Sequence, residues 1–114
     1  MMSLYTDLPV FRDAWQLALR VFEYTKEFGR EHKYTLGQDM KKDSLQLVRH
    51  LYRANKAQDK RVYLEAFLDD YEFLRLEIRM AAEMRLLSMK KQAALSLLLE
   101  RIGKQAIGWR NANQ

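Results

Sequence analysis

The chain has 114 residues, 48% of them apolar and 31% charged, with a net charge of +5 and no cysteine. That composition excludes disulfides, thiolate chemistry, zinc knuckles and iron–sulfur clusters, and one proline with four glycines cannot supply the many turns of a sandwich or barrel. No run of about 18 uncharged apolar residues exists to span a membrane, and Met1–Pro9 lacks the pattern of a signal peptide. The expectation is therefore a soluble, cytoplasmic domain made of helices.

The first predicted helix covers about 9–28. Pro9 suits a first turn, where its missing N–H has no partner to lose. Phe11, Ala14, Trp15, Ala18, Val21, Phe22 and Thr25 follow the spacing of one helical face, widened by Val10, Leu17 and Tyr24; Gly29 supplies the stop. The second runs over about 36–56, opened by Thr35 and Gln38 as a capping box, with Leu36, Met40, Leu47, Val48, Leu51 and Ala54 as its apolar stripe. Asp59 caps the third, about 60–85, and Ser88 caps the fourth, about 89–109. Short connections between helices of about 20 residues favour antiparallel neighbours. The expected architecture is all-α, an up-down-up-down four-helix bundle filling residues 1–114 as one domain, with frayed ends at 1–7 and 110–114.

The third helix carries two apolar stripes. Leu64, Phe67, Leu68, Tyr71, Leu74, Ile78, Ala81 and Ala82 form the face for the core. Val62, Ala66, Phe73, Leu76, Met80, Met84 and Leu87 form another on the opposite side, with Glu65, Asp69, Asp70, Glu72 and Glu77 in the seams. A bundle buries one stripe per helix, so the second needs a partner. Scattered surface hydrophobes are common, yet Ala66, Phe73 and Met80 recur at i+7. Self-association into a closed homo-oligomer fits that recurrence, with Val62, Ala66, Phe73, Leu76, Met80 and Met84 at the subunit contact.

Positive charge is concentrated as well. Residues 41–61 hold seven Lys and Arg against Asp43 and Asp59, whereas 62–84 hold two against six carboxylates. Lys42, Arg49 and Lys56 recur at i+7 and Arg53 lies i+4 from Arg49, so all four project within about 60° of one another, away from the core stripe. Lys60 and Arg61 extend them past the turn, and Arg101, Lys104 and Arg110 lie on the last helix. A solvated face is the ordinary reading of surface lysines. Here no Glu occurs between 32 and 64, so the usual i, i+4 neutralisation is missing, and phosphate contacts driven by counterion release account better for the stripe. No base-reading motif is present, so weak sequence preference is expected.

Catalytic signatures are lacking. His32 and His50 have no partner at metal-ligand spacing, and a di-metal bundle site needs Glu-x-x-His pairs that do not occur. Phosphate-binding glycine loops and nucleophile elbows are absent too. No enzyme, metal or cofactor is expected.

Several stretches resemble one known family. Leu8-Pro9-Val10-Phe11 with Trp15, Lys33-Tyr34-Thr35-Leu36-Gly37, Leu51-Tyr52-Arg53-Ala54-Asn55 with the basic turn to Arg61, and Ile102-Gly103-Lys104 with Gly108-Trp109 are similar to the accessory variability determinant proteins of diversity-generating retroelements. The likeness runs from Leu8 to Arg110. A sister branch, encoded in intervening sequences of 23S rRNA genes, carries Ala-Asn-Ile-Ala-Glu-Gly after the second helix, where this chain has Arg53-Ala54-Asn55-Lys56-Ala57-Gln58. The resemblance implies a ring-shaped homopentamer, basic on its surface, that binds nucleic acid and the element's reverse transcriptase during mutagenic copying of a template RNA into cDNA. The alternative is a structural or protein-interaction bundle of the rRNA intervening-sequence type with no nucleic-acid role.

Overall fold

The computed structural model describes residues 7–114, and among them it is entirely helical. Four long helices, α1 (Pro9–Thr25), α3 (Leu36–Lys56), α4 (Arg61–Glu83) and α5 (Met89–Ala112), are joined by short connections, with a single-turn helix α2 (Arg30–Lys33) between the first two. The body measures 44 × 25 × 20 Å. Each of α1 and α4 packs on both α3 and α5, so α1 lies diagonally across the bundle from α4. Expected fraying at 1–7 falls almost wholly outside the described residues. At the other end α5 runs on through Ala112, three residues beyond the expected Trp109.

The helix ends show which local signals act. Pro9 opens α1 as expected, and the Ser88 hydroxyl accepts the Lys91 N–H at 3.2 Å, an N-cap of the usual kind. Thr35 does not cap α3 with its side chain; its hydroxyl turns back to the carbonyls of Glu31 and His32 at 3.1 and 3.4 Å. The reason is α2, which the sequence does not announce and which offers Thr35 nearer acceptors. Asp59 takes the Arg61 N–H at 3.2 Å, one position ahead of the Lys60 N-cap. Helix α1 stops at Thr25, three residues short of expectation, because the chain turns there to bury Phe28; Gly29 opens α2 instead. After α4 the chain leaves through Arg85 at φ 62°, while the N–H of Leu86 reaches Ala81 O and that of Arg85 reaches Ala82 O. This Schellman turn satisfies carbonyls that the helix end would orphan.

Leu17, Val21, Met40, Leu47, Phe67, Leu74, Leu95 and Ile102 are sealed at the bundle axis. On α4 the expected core face is buried at Leu64, Phe67, Tyr71, Leu74, Ile78 and Ala81, with Leu68 and Ala82 at its edges. Tyr71 donates its hydroxyl proton to Leu99 O at 2.5 Å, and burial pushes its phenol pKa up. A Cβ at Gly103 would stand 2.5 Å from that hydroxyl oxygen, so glycine is what lets α5 come this close to α4. Leu87, assigned to the outer stripe, is buried instead, because the turn after Glu83 swings it off the helix line into the core. Trp15 and Phe22, assigned to the inner face of α1, are exposed. They lie on the edge of a stripe that is wider than the arc the bundle covers.

Candidate nucleic-acid interface

Helix α3 turns Met40, Ser44, Leu47, Leu51 and Ala54 inward. By helical geometry the opposite side presents Lys42, Arg49, Arg53 and Lys56, and all four are exposed. Among the described residues no carboxylate lies within salt-bridge distance of Lys42, Arg49, Arg53 or Lys56. Other surface cations do stand in ion pairs, as Arg75 with Glu72 at 3.1 Å, Arg79 with Glu83 at 3.1 Å and Lys104 with Glu100 at 3.4 Å. Four cations on one face without neutralising neighbours repel each other and leave their potential available to a polyanion.

Two apolar side chains, Leu45 and Tyr52, sit exposed between these cations, and the sequence reading passed over them. Lys56 lies 4.5 Å above the Tyr52 ring and donates to its hydroxyl at 3.2 Å. The signal was available: Lys42, Leu45, Arg49, Tyr52 and Lys56 alternate by three and four. An aromatic ring among phosphate-binding cations is the pairing that holds single-stranded nucleic acid, since every base has a face to stack.

The remaining expected contacts divide differently. Lys60 is engaged, its ammonium donating to the carbonyls of Ala54, Asn55 and Ala57 at 3.0, 3.1 and 2.8 Å. It closes the C-terminus of α3 rather than extending the stripe, because the chain reverses there and carries it over the orphaned carbonyls. Arg61 bonds Asp59 at 3.3 Å and stays exposed. On α5, Arg101 holds the buried carboxylate of Asp13 at 2.5 Å, and Gln105 donates to the same carboxylate at 2.8 Å. Its neighbour Lys104 pairs within its own helix, and Arg110 stands 3.8 Å from Glu65. The last helix therefore uses its cations largely in internal pairs.

The second stripe of α4 is exposed at Val62, Phe73, Leu76, Met80 and Met84, with Ala66 half-buried. Phe73, Leu76 and Met80 retain 58%, 56% and 54% of their accessible surface. Together with Leu36 and Asp39 they line an open groove of about 710 Å³. Glu77 lies along it and is only 6% exposed, with one carboxylate oxygen buried and without a partner. Burial and the adjoining Asp43 and Asp39 push its pKa up to about 8. The sequence places Glu77 in a seam between the two stripes, and the packing of α3 against α4 covers that seam.

His50 joins the same helix pair, its Nε2 meeting Asp70 at 2.7 Å. Among the described residues no group of three or more His, Cys, Asp or Glu is placed to hold a metal ion, and no helix is long and apolar enough to cross a membrane.

A search of curated proteins finds no match. A family model described as bAvd-like matches residues 12–113, which takes in all of α3, α4 and α5 and most of α1. The helical bundle and the match over nearly the whole chain agree with the resemblance read from the sequence: the chain belongs to the bAvd-like family, the bacterial accessory variability determinants.

Proposed function

We propose that this protein is a non-catalytic accessory component of a diversity-generating retroelement. It acts as a basic homo-oligomer, built from up-down-up-down bundles and pentameric by family resemblance, that binds template RNA and the element's reverse transcriptase during mutagenic cDNA synthesis. The observation that carries the nucleic-acid part is the outer face of α3, where Lys42, Arg49, Arg53 and Lys56 stand exposed and without carboxylate partners around Tyr52. Family membership supports the retroelement context. The unpartnered stripe of α4 supports self-association, because apolar side chains this exposed gain by burial against a second surface.

Binding of structured RNA and of random single strands across a salt series tests the reading. Four phosphate contacts on a single strand give a log–log slope of roughly −3, steeper when several subunits engage. Reversing Lys42, Arg49, Arg53 and Lys56 to Glu flattens that slope while circular dichroism and melting stay near wild type, since none of the four supports the core. Equal affinity in the variant overturns the interface. Absence of binding by the wild type at low salt favours the structural bundle of the rRNA intervening-sequence type.

A further inference from the structure

The two ends of the bundle hold their cations differently. One end gathers the finish of α1, the turn α2 and the start of α3. An ion pair between Lys91 and Glu27 brings the start of α5 there, and Leu36 and Met84, lining one groove, bring the finish of α4. Lys26, Arg30, Lys33, Lys41, Arg85 and Lys90 surround this end. Among the described residues none of the six has a carboxylate within salt-bridge distance, while the nearby Glu23, Glu27, Glu31 and Glu83 sit with Arg20, Lys91, His32 and Arg79. At the opposite end Arg12, Arg61 and Arg110 stand 4.0, 3.3 and 3.8 Å from Asp7, Asp59 and Glu65. Lys60 is held there by three backbone carbonyls.

Local preference does not account for these cations. Lys26 follows the C-terminus of α1, where the helix dipole favours positive charge. Lys90 stands in the first turn of α5, where the dipole opposes it, and no acid shares that turn. Arg85 is the clearest case. It takes φ 62° after α4, a left-handed position that favours glycine, and it is the one non-glycine residue with positive φ among the described residues. An arginine kept where glycine would relax the backbone points to a use for its side chain.

We propose that this end is a second contact surface for nucleic acid, and that an unpaired strand turns onto it from the stripe of α3. The proposal rests on the nucleic-acid reading of α3 and adds where the strand goes and that it is single. Lys42 heads the stripe at this end of α3, and Lys41 beside it lies 5.8 Å over the Phe22 ring of α1. Positive charge therefore passes from the side of the bundle to its end without a break. Charges are screened over about 10 Å at 0.1 M salt, and the end measures only 25 × 20 Å, so the fields of the six cations overlap. Tyr34 stands among them 67% exposed, a ring on which a base can stack. From Lys42 to Lys56 the stripe covers about 21 Å of helix, and the end adds 20 Å. At about 3.4 Å per nucleotide, the stripe alone takes about six nucleotides and the two surfaces together about twelve. A duplex, with a persistence length of about 150 base pairs, is too stiff to turn that corner.

Fluorescence anisotropy with unstructured 6-mer and 16-mer RNA and with a 16-bp duplex tests the path. The wild type binds the 16-mer roughly tenfold or more tighter than the 6-mer, and the duplex gains less from its length. Arg30→Glu/Lys90→Glu weakens 16-mer binding roughly tenfold or more and makes its salt slope shallower by about 1.4. Arg20→Glu/Arg75→Glu makes the same change in net charge at cations already in ion pairs and does neither. Arg85→Gly weakens 16-mer binding roughly threefold or more yet melts no lower than the wild type, and Arg85→Lys keeps the affinity. An end pair that behaves like the ion-paired control overturns the second surface, leaves the α3 interface standing and hands the end to an acidic protein. A duplex that gains as much from length as the single strand overturns the turned path. Unchanged affinity in Arg85→Gly overturns the part given to Arg85. A wild type that binds no RNA at low salt overturns both this surface and the reading it rests on.

Discussion

The outer faces of α3 and α4 belong to neighbouring helices of similar length that share one core, yet they are opposites. That of α3 holds four cations without carboxylate partners, with Leu45 and Tyr52 spaced among them. That of α4 holds a run of apolar groups with acids at its ends and a carboxylate sunk beside it. A solvated charge and an exposed hydrophobe are each inexpensive singly; in ordered rows they ask for different partners, a polyanion in one case and an apolar protein surface in the other. The difference teaches that one small bundle can separate assembly from nucleic-acid contact simply by turning different helices outward.

The sharpest way to break that separation is a pair of double exchanges read by two assays. Arg49→Glu/Arg53→Glu lowers RNA affinity on the order of tenfold to a hundredfold and leaves the oligomer intact. Phe73→Ser/Leu76→Ser dissociates the oligomer and leaves the folded subunit and its intrinsic RNA site unchanged. If either exchange moves the other readout to the same extent, the two faces are not independent.

The next effect concerns cations that look alike in sequence. Arg101→Ala strands the buried carboxylate of Asp13 with Gln105 as its remaining partner and lowers stability in denaturant by about 2 kcal/mol, below the cost of breaking a fully buried pair because Arg101 is itself half exposed. Arg49→Ala, on the outer face of α3, changes stability by less than about 0.5 kcal/mol. The contrast distinguishes a structural cation from one available to a ligand.

The smallest expected effect is a pH dependence from the carboxylate beside the α4 seam. Glu77 has its pKa raised from 4.5 to about 8, with burial first among the causes and Asp43 and Asp39 next. Between those values the folded protein keeps the proton while the unfolded chain has released it. Rising pH therefore favours unfolding, and Glu77 lowers stability progressively from about pH 4.5 to about pH 8. Glu77→Gln removes the slope: wild type and variant match near pH 4, and the variant is the more stable by about 1–2 kcal/mol at pH 8.5 in urea titrations. Parallel curves across that window refute the assignment.

Much of the helical layout was legible from periodicity and caps. Leu64, Phe67, Tyr71, Leu74 and Ile78 face inward as their spacing requires, Ser88 caps where it should, and Lys42, Arg49, Arg53 and Lys56 face out because they stand opposite Leu47 and Leu51 on one helix. The candidate interface was legible where it lay on a single helix and not where two elements meet. Lys60 reads as one more cation until the turn folds it over the carbonyls of α3. Arg101 reads likewise until α5 comes to rest on Asp13.

What the amino-acid sequence determined by itself is the set of helices, the faces each offers, and the concentration of charge on one and of apolar surface on another. These follow from a 3.6-residue repeat, which acts within a segment and needs no neighbour. Only the tertiary structure decided where the edges of each apolar face come to lie. It left Trp15 and Phe22 exposed, drew Leu87 inward and buried Glu77 between α3 and α4. Those outcomes depend on how wide an arc each neighbouring helix covers and on where the turns set the chain down, which are properties of the packed bundle.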